Sequence, residues 1–248
     1  MSKQLAVVIM AAGKGTRMQR DDIPKVCNLI LNKPLIQYVV DQAKSLSASK
    51  IICIVGHQQE VVRETLRHEP VLFAEQLEQL GTGHAVLQTA QLLKDFDGDV
   101  IVLSGDVPLL RGSTLEVLLE KHHSGKYAST VLTALAEEPR GYGRVIRTSE
   151  DLFDYVVEHK DATDEQLTIQ EINSGIYVFD AKMLFAELPK VGNSNAQGEY
   201  YLPDVLPLFQ NNGAKVGVEI CETFSEIQGI NTVDELKTVE AKILASQE

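Results

Sequence analysis

The chain has 248 residues and a mass of 27.3 kDa, enough to bury a large core without help from disulfides or metals. Its apolar share of 44% and charged share of 23% are ordinary for a globular protein and leave disordered, collagen-like and coiled-coil readings without support. Lys and Arg number 23 against 35 Asp and Glu, a formal net charge of −12, which excludes nucleic acid and anionic membrane surfaces as partners unless charge is reversed locally.

In chain order, the first half alternates apolar runs with amphipathic segments. Leu5 to Met10, Ile51 to Val55 and Val100 to Leu103 are continuous apolar runs, the pattern of parallel strands covered on both faces. Between them, Leu35 to Leu46, Gln58 to Leu66 and Thr82 to Leu93 carry apolar residues at helical spacing. Leu35, Ile36, Val39, Val40 and Ala43 form one such stripe. Ser113 and Glu116 stand at capping-box spacing, which predicts a helix from Thr114 to about His123. This alternation predicts an α/β fold, a Rossmann-like doubly wound mixed sheet with right-handed crossovers.

Beyond residue 124 the pattern loosens. Ser129 to Ala136, Gly143 to Arg147, Tyr155 to Glu158 and Ile172 to Phe179 read as strands of antiparallel character, expected as a smaller subregion packed beside the main sheet. Tyr201 to Phe209 reads as helix, Val216 to Ile220 as a last strand, and Thr232 with Glu235 caps a terminal helix. No repeat or linker interrupts the chain. The expectation is one domain over 1–248, whose character changes at roughly residue 124 and which closes with a C-terminal helix over 232–248.

Cys27, Cys53 and Cys221 form no CxxC pair, so neither a thiol redox centre nor a tetrathiolate zinc site is encoded. The apolar stretch after Lys3 is too short for a secretory signal, and no run is long enough to span a bilayer. A reduced, cytoplasmic protein is expected, with no membrane partner.

The first strand runs into Ala11-Ala12-Gly13-Lys14-Gly15-Thr16-Arg17-Met18. A dinucleotide fingerprint would need a third glycine where Met18 stands, and a P-loop would need Ser or Thr where Gly15 stands. What remains is either a structural turn or an anion site of another kind. Lys14, Arg17, Arg20 and Lys25 against Asp21 and Asp22 make this stretch locally basic, at the strand end where open α/β sheets bind ligands. Arg17 and Lys25 are the phosphate-contact candidates, while Lys14 and Arg20 read equally well as solvated surface. Asp106, reached from Val100–Leu103 through Ser104-Gly105, is either a turn aspartate before Pro108 or a ligand for a hard divalent cation. No convincing Ser–His–Asp or Cys–His arrangement is present.

Beyond the glycine-rich run and Pro24-Lys25, the ordered set is Glu75-Gln76-Leu77, Leu80-Gly81-Thr82-Gly83-His84-Ala85, Gly105-Asp106-Val107-Pro108-Leu109 and Gly141-Tyr142-Gly143-Arg144. It continues with Val157-Glu158-His159-Lys160-Asp161-Ala162-Thr163, Glu171-Ile172-Asn173-Ser174-Gly175-Ile176, Asn195-Ala196-Gln197-Gly198-Glu199-Tyr200-Tyr201 and Gly229-Ile230-Asn231. Together these resemble the sugar-1-phosphate nucleotidyltransferases, and within them the uridylyltransferase part of the bifunctional N-acetylglucosamine-1-phosphate uridyltransferase/glucosamine-1-phosphate acetyltransferases. The resemblance covers essentially the whole chain.

The resemblance implies that UTP and N-acetylglucosamine 1-phosphate yield UDP-N-acetylglucosamine and pyrophosphate, with Mg²⁺ as cofactor. It assigns Arg17, Lys25 and Asp106 to catalysis, and Asp106 with Asn231 to Mg²⁺. Met10, Ala11, Ala12, Gly13, Lys25, Gln76, Gly81, Thr82, Ser104 and Gly105 fall to the nucleotide, with Gln76, Gly81 and Thr82 on uracil. Gly143, Glu158, Asn173 and Asn231 fall to the sugar, so the resemblance implies a nucleotide-binding part at roughly 1–124 and a sugar-binding part at roughly 125–231. His84 and His159 read as structural hydrogen-bonding residues. Ser104 stands where the family commonly has an aromatic residue, and Met10 replaces a leucine. Hexapeptide repeats of a left-handed β-helix, which carry acetyltransfer and trimerisation in the family, are absent from these 248 residues. The oligomeric state stays open. Alternatives are a different hexose(amine) 1-phosphate or base, or a catalytically silent module that binds sugar nucleotides.

Overall fold

The computed structural model describes residues 3–15, 18 and 22–245. In chain order the strands are β1 (Gln4–Met10), β2 (Leu29–Ile30), β3 (Lys33–Pro34), β4 (Lys50–Val55), β5 (Leu72–Glu75), β6 (Gly98–Ser104), β7 (Ser129–Leu135), β8 (Arg144–Arg147), β9 (Phe153–Val157), β10 (Glu171–Asp180) and β11 (Val216–Cys221). The helices are α1 (Leu35–Ser45), α2 (Gln59–Thr65), α3 (Thr82–Leu87), α4 (Gly112–Gly125), α5 (Asp164–Leu167), α6 (Ala181–Glu187), α7 (Val205–Asn211), α8 (Phe224–Ile227) and α9 (Val233–Ala245).

Nine strands form one mixed sheet, with the row β11-β7-β10-β6-β1-β4-β5 and the β8–β9 hairpin attached to β10; β2 and β3 pair separately. In that row β6, β1, β4 and β5 are mutually parallel, and β7 runs parallel to β11. Only β10 runs against its neighbours, antiparallel to both β6 and β7. The doubly wound mixed sheet read from the sequence is therefore present. Its second half differs in placement: β7, β10 and β11 continue the main sheet, and only β8–β9 stands off, held to β10 through the Ile172–Arg144 pair.

Side-chain alternation along the strands fills both faces. Val7, Ile9, Ile51, Cys53, Ile101 and Leu103 point to one side, under α1, α2 and α4. Ala6, Val8, Ile52, Ile54, Val100 and Val102 point to the other, under α3, α6 and α7. Both layers are closed to solvent, which explains why the sequence shows unbroken apolar runs here. The α1 stripe of Leu35, Ile36, Val39, Val40 and Ala43 is buried as its periodicity predicts.

Two helix boundaries move. The segment after Thr82 is helical only to Leu87; beyond it the backbone tightens into three-residue turns, with Gln88, Thr89 and Ala90 N–H donating to the Ala85, Val86 and Leu87 carbonyls at 3.1, 3.0 and 3.1 Å. The helix expected from Thr114 starts earlier, at Gly112, with Arg111 as N-cap and no side-chain cap bond, so Ser113 lies inside the first turn. A Cβ on Gly112 would come within 3.0 Å of Ser45 Oγ, so its bare backbone lets this end pack on α1. At the terminal helix the expected capping box forms: Glu235 N–H donates to Thr232 Oγ1 at 3.2 Å, and Thr232 N–H donates to Glu235 Oε2 at 3.0 Å. No helix of the described residues is long and apolar enough to cross a membrane.

Candidate active site

The C-terminal ends of β1 and β6 lie side by side, with Met10 opposite Ser104. Gly105 N–H donates to the Met10 carbonyl at 3.0 Å, and a Cβ on Gly105 would sit 3.0 Å from that oxygen. The loops after these strands are thereby pressed together. Gly15, at φ +60, turns the glycine-rich loop; a Cβ there would lie 2.6 Å from the Lys25 Cβ. Both the backbone angle and the close approach require glycine. Pro24 leads into a short 3₁₀ turn, Lys25–Cys27, that aims Lys25 at the end of β6.

Lys25 Nζ pairs with Asp106 Oδ2 and donates to Asn231 Oδ1 at 3.1 Å. Asn231 is fixed from three sides. Its Nδ2 donates to the Gly229 carbonyl at 3.1 Å, its backbone N–H donates to Glu235 Oε2 at 2.6 Å, and the preceding Ile230 N–H donates to the Asp106 carbonyl at 3.0 Å. A carbonyl can only accept, so the Asn231 amide nitrogen is turned to Gly229 and its oxygen to Lys25. The Asp106 carboxylate and the Asn231 amide oxygen thus converge on one cationic position. Two hard oxygen donors, one of them charged, suit Mg²⁺ when substrate oxygens complete the shell. Among the described residues no group of three or more His, Cys, Asp or Glu side chains is gathered for a metal, so a protein-built cage is not what these residues offer. Arg17, the other phosphate candidate, lies outside the described residues.

Three cavities open around Ser104. The first, about 310 Å³, is lined by Met10 to Gly13, Lys25, Gln76, Gly81, Thr82 and Ser104. It collects the nucleotide candidates other than Gly105. Gln76, 4% exposed, donates from Nε2 to the Gly81 carbonyl at 3.0 Å and contacts His84 Nδ1 at 3.1 Å. This turns its amide oxygen into an acceptor for a ligand. Gly81, at φ +112, has no room for a Cβ, which would lie 2.6 Å from the Tyr200 carbonyl. The Thr82 hydroxyl already accepts from Leu202 N–H at 2.9 Å, so its part is to tie α3 to the Tyr200–Leu202 segment. His84 is the structural hydrogen-bonding residue expected, also touching Gln88 through Nε2. For His159, the buried Nδ1 has no hydrogen-bond partner among the described residues.

The second cavity, about 190 Å³, brings Gly143, Glu158 and Asn173 together with Ser104 and Tyr177. Gly143 stands just before β8, Glu158 just after β9, Asn173 and Tyr177 on β10, and Ser104 at the end of β6. Asn173 N–H donates to the Gly143 carbonyl at 3.0 Å, and a Cβ on Gly143 would crowd Glu158 Oε1 at 3.2 Å. Burial, then the charges of Asp204, Asp161 and Glu199, push the Glu158 carboxyl up to about 7; burial and Asp161 push Asp204 up to about 6. Asn231, expected at the sugar, lines instead a third cavity of about 770 Å³ with Asp106, Tyr142 and Glu235. Tyr177 carries no motif signal, because an aromatic within an apolar strand reads as core.

A family model described as "Nucleotidyl transferase" matches residues 6–222, and the chain belongs to that family. Among curated proteins it is similar to the Bifunctional protein GlmU of Bacillus cereus (strain G9842), Bacillus thuringiensis (strain Al Hakam) and Bacillus anthracis (strain CDC 684 / NRRL 3495). Each is 46% identical over 244 residues, covering 98% of this chain and 52% of the relative. The chain spans about half the length of the curated relatives it matches.

Proposed function

We propose that the protein is a Mg²⁺-dependent uridylyltransferase that converts UTP and N-acetylglucosamine 1-phosphate to UDP-N-acetylglucosamine and pyrophosphate. The observation that carries this reading is the meeting of two cavities at Ser104, beside the Lys25–Asp106–Asn231 cluster. One cavity presents a fixed amide acceptor, suited to the imide N–H of uracil. The other presents a carboxyl and an amide, suited to hydroxyls and an acylamino group.

A phosphate oxygen of the sugar phosphate attacks the α-phosphorus of UTP. A new P–O bond forms, the α–β bridging bond breaks, and pyrophosphate departs with the electron pair. The attacking phosphate is already ionised near neutral pH, so no protein base has to take a proton. The protein's work is to hold two polyanions in line and to offset developing charge. Lys25 is placed for the phosphates, and Arg17 is assigned the same task. Asp106 and Asn231 are the residues that would hold Mg²⁺, which when bound supplies positive charge to the phosphate oxygens. Residues roughly 1–124 serve the nucleotide and roughly 125–231 the sugar. The three thiols are unpaired, in keeping with a reducing, cytoplasmic setting.

Pyrophosphate release from UTP, CTP or dTTP with N-acetylglucosamine, N-acetylgalactosamine or glucose 1-phosphate measures reaction, base and sugar together. UTP with N-acetylglucosamine 1-phosphate should lead, and chelation of Mg²⁺ should stop release. No release with Mg²⁺ present overturns the proposal. Preference for another sugar or base moves the assignment within the family, and ligand binding without turnover favours the silent sugar-nucleotide module. Asp106→Ala should lower kcat by at least about 10³-fold with its melting temperature little changed; unaltered activity would remove Asp106 from the metal assignment.

A further inference from the structure

In the smaller cavity, Asn173 is clamped from behind. The Tyr177 hydroxyl, on a side chain 1% exposed, donates to Asn173 Oδ1 at 2.9 Å. Gly175 N–H donates to the same oxygen at 3.2 Å. The local strand geometry makes this possible. The β10–β7 register shifts between Asn173 and Ile176; Gly175 takes φ +79, and the Ser174 hydroxyl caps the Leu132 carbonyl at 2.6 Å. That irregularity turns residue 175's N–H inward and leaves Tyr177, four positions on, pointing at residue 173.

An amide side chain has a donor end and an acceptor end, and alone it can turn either to a ligand. Two donors on Oδ1, one N–H and one O–H, settle the choice: the nitrogen end faces the cavity. Tyr177→Phe would keep the ring and its packing against Phe179, whose centroid lies 5.4 Å away, while removing the shorter of the two clamping hydrogen bonds.

We propose that Tyr177 is a specificity-determining positioning residue. By fixing Asn173 as a donor, it selects a sugar phosphate that offers a carbonyl acceptor, an acylamino sugar, over one that offers only hydroxyls. This rests on the sugar reading of the cavity given above. A hydroxyl can both donate and accept, so an unclamped asparagine serves it in either orientation. A carbonyl oxygen is served in only one. Releasing the clamp therefore costs the acylamino ligand more than the hydroxyl ligand.

The test compares Tyr177→Phe with the unaltered protein in two measurements: kcat/KM, and calorimetric binding, each with N-acetylglucosamine 1-phosphate and with glucose 1-phosphate. The preference for the acylated sugar should fall by about tenfold in both, the scale of one buried hydrogen bond. KM for UTP should stay within about twofold. Phe179→Leu, which disturbs the same packing without touching the amide, should lower the melting temperature and leave the preference intact. An unchanged ratio in Tyr177→Phe, an equal loss for both sugars, or an unaltered protein without preference would overturn the proposal. Binding with a preserved ratio change but no turnover would overturn the uridylyltransferase reading and leave the role of Tyr177 standing. Turnover with an unchanged ratio would do the reverse.

Discussion

Gly15 and Lys25 are coupled atom to atom, and a single methyl group separates a built site from a displaced one. Gly15→Ala would place a Cβ in a left-handed backbone position and 2.6 Å from the Lys25 Cβ. The expected outcome is a loss of about 1–2 kcal/mol in urea unfolding from the backbone alone. In the proposed reaction, KM for UTP should rise by tenfold or more as Lys25 moves, read from initial rates. Glu158 gives a second test at this scale. Its folded carboxyl titrates near 7, above the ordinary carboxylate value of 4.5. A raised pKa means the folded state binds the extra proton. Its stabilising effect is thus complete below about pH 4.5 and disappears as pH climbs through 7. Glu158→Gln should flatten that part of the stability profile, making the variant more stable than the unaltered chain at pH 8 by on the order of 2 kcal/mol. Chemical denaturation at pH 4.5 and pH 8 would read the difference. Residues of this kind were legible where a motif carried them: Lys25, Gln76, Gly143, Glu158 and Asn173 all reach the cavities. Tyr177 was not, since its work lies in a hydroxyl whose partner is chosen by a local strand irregularity.

Elements were legible in proportion to their burial. β1, β4 and β6 are covered on both faces and announce themselves as apolar runs. β5 is four residues long with a mostly open burial pattern, and the apolar run that marks it, Val71 to Ala74, is at the lower limit of strand length. β10 reads as a strand from its pattern, but its place between β6 and β7 depends on pairing across more than 35 residues, which local pattern cannot encode. The far end of β6 holds another group unseen in the sequence. Asp99, 1% exposed, meets Lys3 Nζ at 3.1 Å, His123 Nε2 at 2.7 Å and His122 Nε2 at 3.5 Å. Burial works to raise its pKa, but the contacts with His122, His123 and Lys3 outweigh it and hold the carboxyl down at about 2. A lowered carboxyl pKa stabilises the fold above about pH 3.8, and that contribution is lost as pH falls through 2. Asp99→Asn should therefore cost about 1–3 kcal/mol at pH 7 and much less at pH 2, measured by urea titration at both. The β8–β9 hairpin shares a single ladder pair with β10 and is otherwise held by side chains such as Arg147 on Glu171, so it should exchange its amide hydrogens before β1, β4 and β6 do.

At the scale of the whole molecule, the cluster at the site draws on positions 25, 106 and 231. The last of these is held by α9, which docks through a small cluster in which Ile30, Leu35, Ile230 and Val239 are the buried members. That attachment is slight beside the two sheet faces. Activity should accordingly fade at lower urea than the far-ultraviolet circular dichroism signal, because α9 can lift away while the sheet stays folded. Coincident transitions would show instead that the helix and sheet unfold as one unit. The net charge of −12 is likewise a property of the whole: Lys25 sits within an acidic chain yet faces the nucleotide cavity, so the sum says little about which anions the molecule can hold.

The reversed strand β10 also sets an order on biosynthesis. β7 ends at Leu135, while β10, which alone joins it to β6, begins at Glu171. At about 5–20 residues per second a ribosome takes roughly 2–7 s to cover that gap. For that interval an apolar strand with Val131, Leu132 and Ala134 destined for the core has neither of its native neighbours, since β11 follows later still. The nascent chain is most exposed to mispairing in that window, and a holding chaperone would have its clearest target there.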